Sequence, residues 1–191
     1  MKKWSIFLSL CFFPMFLQGC QNQDHSSSVI SGVPAYVSKY EYQETITINF
    51  QNKVKEEEKI TQNNIQELLG DNLQADTFSN VFINPEGLIL SSNEYNGVIH
   101  FLITNGYFLK ELKVQAKAYN NNQSILYCNT QTTDSLTNEF ETYTFPFKRN
   151  VTNFLLGAKI ITLEGIESED RQILIQSMEL SLTKRPIKIN L

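Results

Sequence analysis

The stretch FLKELKVQAKAY, Phe108 to Tyr119, decides the fold. Leu112, Val114, Ala116 and Ala118 share one phase, and Lys113, Gln115, Lys117 and Tyr119 share the other. A helix repeats every 3.6 residues and cannot keep period two for so long, so the pattern predicts a strand with one buried side. The same alternation recurs in both directions. ETITINF (44–50) places Ile46, Ile48 and Phe50 together, and VIHFLIT (98–104) is closed by Asn105-Gly106, a strong hairpin-turn signal. Further strands are expected at 78–83, stopped by Asn84-Pro85-Glu86-Gly87, and at 88–90, 124–128 and 158–163. Thr142 to Phe147 alternates too, but Pro146 cannot donate a ladder hydrogen bond, so this strand belongs at an edge or ends there. In 172–183, Ile173 and Ile175 keep one phase while Met178, Leu180 and Leu182 keep the other; a bulge near Gln176-Ser177 reconciles them. One helix is expected at 61–69, with Ile65, Leu68 and Leu69 on one face and Gly70 to close it. Some nine short strands and a single helix predict an all-β antiparallel sandwich, a jelly roll, over residues 40–191.

The opening residues, MKKWSIFLSLCFFPMFLQGC, have a different grammar. Lys2 and Lys3 precede an apolar run from Ser5 to Leu17, too short for a membrane span and of the right length for an export signal. Leu17-Gln18-Gly19-Cys20 resembles the lipobox of bacterial lipoproteins, with Gln18 departing from the usual small residue. The resemblance implies removal of 1–19, a diacylglyceryl group on Cys20, and a chain held by lipid on the extracytoplasmic face of the cell membrane. Residues 20–39, with Ser26–Ser28, Gly32 and Pro34, read as a flexible tether.

Charge and cysteine content narrow the partners. The chain has 16 Lys and Arg against 20 Asp and Glu, and Lys2 and Lys3 leave with the signal. An acidic domain without a basic run does not suit a nucleic-acid partner. Of three cysteines, Cys11 lies in the signal and Cys20 takes the lipid, so Cys128 stays unpaired; the domain must stand on its core, with Cys128 in it.

No nucleophile elbow, zinc-protease helix, phosphate loop or dinucleotide fingerprint is present in the sequence, and no cofactor is implied. His25 falls in the tether, which leaves His100 as the one histidine for acid–base work, and it reads as a strand residue. The carboxylates Glu164, Glu167, Glu169, Asp170 and Glu179 are candidates for a paired-carboxylate hydrolase, and the loop 164–170 for a calcium ion. From Asn96 to Thr183, through KELKVQAKAYNNN, YTFPF and RQILIQSMELSL, the chain is similar to extracellular β-sandwich modules of low-GC Gram-positive bacteria. Such modules resemble carbohydrate-binding jelly rolls. Tyr119 and Tyr127 flank the amide-rich turn containing Asn121, and these three are the candidate ligand-binding residues. The expectation is therefore a non-enzymatic binding or interaction domain for a carbohydrate or protein ligand. A polysaccharide hydrolase and a structural subunit of a surface assembly are the alternatives.

Overall fold

The computed structural model describes residues 42–92, 96–120, 124–159 and 171–184. Within them the chain forms β1 (Tyr42–Asn49), β2 (Glu58–Lys59), helix α1 (Gln62–Leu69), β3 (Leu73–Ser79), β4 (Val81–Asn84), β5 (Gly87–Ser92), β6 (Val98–Ile103), β7 (Phe108–Ala118), β8 (Ile125–Cys128), β9 (Gln131–Ser135), β10 (Glu141–Val151), β11 (Asn153–Lys159) and β12 (Arg171–Lys184). The long sheet runs β10-β7-β12-β5-β4-β2, and the short sheet runs β3-β6-β11-β8-β9. Strand β12 keeps β7 along one side, while on its other side it pairs first with β5 and then with β1.

Four antiparallel ladders are nested. β8 pairs β9, β7 pairs β10, β6 pairs β11, and β5 pairs β12. Each ladder encloses the one before it, and successive ladders fall in alternate sheets. That is one long hairpin rolled on itself, which is the jelly roll expected from the alternation. Period-two patterning sends one side of β6, β7 and β8 into the space between the sheets. Leu112, Val114, Ala116 and Ala118 of β7 are buried there with Phe50, Leu126, Leu156 and Met178. Phe101 and Phe154, register partners on β6 and β11, stack with centroids 4.9 Å apart. The register slips between Ile175 and Ser177, after which Met178, Leu180 and Leu182 face the core. This is the bulge that the phase shift required. Strand β10 lies at the sheet edge, and its pairing with β7 is interrupted after Pro146.

Several sequence expectations need correction. Asn105 and Gly106 do turn the chain, with φ of 56° and 72°, but they join β6 of one sheet to β7 of the other, not two strands of a hairpin. The Thr104 hydroxyl and the Asn105 amide both donate to the Asp71 carbonyl, which pins this corner beside the start of β3. The run 78–83 is two strands, broken where Asn80 takes φ 51°. Strand β9 is polar throughout and gave no hydrophobic signal. Strand β11 starts at Asn153, five residues before the expected 158, and residues 160–170 lie outside the described residues.

Helix α1 starts where a capping box puts it: the Thr61 hydroxyl accepts from the Asn64 amide, and the Asn64 side chain accepts from Thr61 N. Ile65 and Leu69 bury the inner side. One turn apart, Gln62 and Gln66 donate to the carbonyls of Ala75 and Leu73 on the edge strand β3. The helix thereby covers an edge that would otherwise offer free pairing groups.

Cys128 is buried in β8, and burial pushes its thiol up from 9.0 to about 12. The native thiol is expected to resist a thiol-specific reagent at pH 8 and to react fully once the chain is unfolded. A fast native reaction would show the site to be open. The sign of the pH effect follows from the raised folded value. The unfolded thiol ionises near 9.0 and the folded one does not, so stability falls as pH rises from about 9 to about 12.

Candidate ligand-binding face

The strand phases also define what faces away from the core. On the outer face of the long sheet, β7 presents Lys113, Gln115 and Lys117, the alternates of its buried residues, and Tyr119 follows in the same phase just past its end. Register sets Lys117 beside Leu174 of β12, Leu174 beside Ile89 of β5, and Ile89 beside Phe82 of β4. The face has two halves of different chemistry.

One half is charged. Lys113 Nζ lies 2.8 Å from Glu179 and 3.7 Å from Glu111, and the Glu179 bond raises the lysine's pKa. The Ser177 hydroxyl donates to Gln115 at 3.2 Å. Glu179 was a sequence candidate for carboxylate catalysis, and Glu111 is its neighbour here. The Lys113 ammonium lies within 4 Å of both carboxylates.

The other half is built from rings, amides and aliphatic side chains. The Asn84 amide donates to the Tyr119 hydroxyl at 3.0 Å. Lys117 Nζ lies 3.5 Å from Glu86 and 4.7 Å above the ring of Phe140. Asn84 and Glu86 belong to the tip of the β4–β5 hairpin, while Lys117 rises from β7 and Tyr119 from the residue after it, with β12 and β5 between β7 and β4 in the strand order. The tip is rigid. Asn84 Oδ1 accepts from the amides of Glu86 and Gly87 at 2.9 and 3.0 Å, and Gly87 takes φ 154° against the backbone of Ile175. Leu174 and Ile89 face outward yet are 0% and 1% exposed, and neither belongs to the core cluster between the sheets.

The short sheet turns a separate face to solvent. Tyr127 of β8 alternates with the buried Leu126 and Cys128, so it points outward, and its ring lies over Gly157. A Cβ at position 157 would meet that ring at 2.5 Å, so the glycine makes the room. Burial raises the Tyr127 phenol pKa, and a hydrogen bond with Asn96 offsets part of the rise. On the same face His100 Nδ1 stands 3.1 Å from Asp76 and its Nε2 3.5 Å from Asn153. Asp76 sits at the register slip between Ala75 and Thr77 of β3.

The structure therefore does not unite the three residues proposed from sequence. Tyr119 and Tyr127 lie on opposite outer faces, because the chain changes sheets between β7 and β8. Asn121 lies outside the described residues, as do Cys20 and the loop 164–170. Tyr119 is half-buried and joined to Asn84, a partner that sequence reasoning missed. The available signal was the Asn-Pro-Glu-Gly tetrapeptide, read only as a strand stop. Among the described residues, no group of three His, Cys, Asp or Glu is placed to hold a metal ion.

No family model and no curated protein sequence matches this chain. Solved structures of similar fold include a family 29 carbohydrate-binding module from Piromyces equi, at 12% identity and TM-score 0.46, covering 73% of this chain and 90% of that one. The apo Crh5 transglycosylase matches at 10% identity and TM-score 0.43, covering 71% and 83%. The CBM36-1 domain of a multidomain xylanase from the hindgut metagenome of Trinervitermes trinervoides matches at 10% identity and TM-score 0.35, covering 72% and 96%.

Proposed function

We propose that the chain is a lipid-anchored, non-catalytic binding module of the cell surface. Its ligand is a neutral carbohydrate, taken on the ring-and-amide half of the long sheet's outer face. One observation carries the reading: Tyr119 and Phe140 rings, the Asn84 amide, the Lys117 ammonium and the Glu86 carboxylate occur together on one sheet surface. The Phe140 ring can stack on the apolar side of a sugar, and the polar groups around it can bond the sugar's hydroxyls. The lipobox-like Leu17–Cys20 supplies the attachment.

The binding half is tested by affinity electrophoresis of the chain in gels holding soluble β-glucan or xylan. Retardation that disappears in a Phe140→Ala variant supports the face. Retardation unchanged in that variant places the ligand elsewhere, and none with any neutral polysaccharide removes the reading. Anchoring is tested separately. Cys20→Ala is expected to shift the protein from membrane to medium or to leave an unprocessed precursor. A variant that still partitions as a lipidated, shortened chain defeats the assignment.

A further inference from the structure

Leu174 and Ile89 pose a physical question. They are large aliphatic residues on the outward side of a sheet, and they are as dry as the core. Their register neighbours are Lys117 on one side and Phe82 on the other. To reach Asn84, the Tyr119 side chain must cross from β7 toward β4, and Lys117 makes the parallel reach to Glu86. Both bridges span the strands that carry Leu174 and Ile89.

We propose that Tyr119–Asn84 and Lys117–Glu86 form a clasp closed over an apolar floor of Leu174 and Ile89, and that the ligand binds by displacing the Tyr119 phenol. This rests on the binding reading above and specifies its mechanism. The two bridges are unequal. Lys117 and Glu86 are partly exposed, and surface pairs of that kind contribute little. Asn84 is 5% exposed, and its Oδ1 is already committed to the turn amides, so its Nδ2 bond to Tyr119 holds the clasp. The phenol indicates what can replace it. It is a six-membered ring with an apolar face and a hydroxyl bonded to an amide. A pyranose has the same three attributes, so it can take over the aliphatic floor and the Asn84 donor together. Binding then carries the cost of opening, and weakening the clasp tightens binding.

The test is Tyr119→Phe, which keeps the ring and deletes the hydroxyl, in the full chain purified in detergent. Two readouts are taken: hydrogen exchange of the amides at 86–90, with those at 99–103 as reference, and retardation by soluble β-glucan and xylan. Exchange at 86–90 is expected to quicken by about tenfold, matching the loss of one buried hydrogen bond, with the reference amides unchanged. Retardation is expected to strengthen several-fold. Exchange at 86–90 equal to wild type overturns the clasp. Faster exchange with weaker retardation makes Tyr119 a plain ligand contact, which also overturns it. Faster exchange with no retardation of either protein removes the binding reading, and the clasp as a gate goes with it. Tyr119→Ala, lacking ring and hydroxyl, is expected to expose the floor and raise the fluorescence of an apolar-surface dye above both other proteins.

Discussion

Gly87→Ala is expected to destabilise the domain by about 3–5 kcal/mol, a large part of the roughly 5–15 kcal/mol that holds an ordinary domain together. Two effects combine. The backbone at 87 takes φ 154°, which a residue with a side chain adopts only under strain. The added methyl would also stand 2.3 Å from the carbonyl oxygen of Ile175, and that atom is backbone in the β5–β12 ladder, with no rotamer to yield. Relief requires the two strands to part, and with them the hairpin tip that places Asn84 and Glu86. Urea denaturation of wild type and variant measures the cost. A midpoint within about 1 kcal/mol of wild type would mean that the ladder is looser than described. Gly106→Ala is the internal control. It shares a positive φ, 72°, but the nearest atom to its new methyl is the flexible Lys184 Cε at 3.7 Å. Only the conformational penalty of about 1–2 kcal/mol remains.

Phe101→Ala is expected to cost about 3–5 kcal/mol with an unchanged denaturant slope. The ring is fully buried at the centre of the short sheet and stacks on Phe154, its partner across the β6–β11 ladder. Neighbouring strands fix the backbone on both sides, so the site cannot collapse onto the cavity. A double-mutant cycle with Phe154→Ala should return a coupling of about 0.5–1.5 kcal/mol from the ring pair. Coupling near zero would mean that the rings fill space independently.

The architecture was legible because alternation is a local property. Ala116 and Ala118 could be assigned inward from their neighbours alone, and Met178 could be assigned inward only by inserting a bulge, which the register shift contains. What was not legible is which strands pair. Asn105-Gly106 specifies a reversal of chain direction but not a sheet; the bonds from Thr104 and Asn105 to Asp71 make it a corner, and Asp71 is 33 and 34 residues away. The candidate site failed for the same reason. Tyr119 and Tyr127 are close in sequence, and alternation correctly sent both outward, but their strands belong to different sheets. Asn84 is 35 residues from Tyr119, and only the fold brings them together. The His100–Asp76 contact, 24 residues apart, was hidden in the same way.

The rolled hairpin also orders assembly in time. Its innermost ladder, β8 with β9, closes a loop of a few residues, whereas its outermost brings Ser92 to Arg171 across 79 positions. The entropy of closure grows outward along that series, so each ladder becomes affordable only after the one inside it has shortened the effective loop. A chain with this ranking is expected to close its inner ladders before its outer ones, and to fold slowly beside a helical protein of equal length. The carbonyl of Ile175 and the glycine beneath it meet in the last of the nested ladders, so a fault at residue 87 would be felt after most of the roll had already formed.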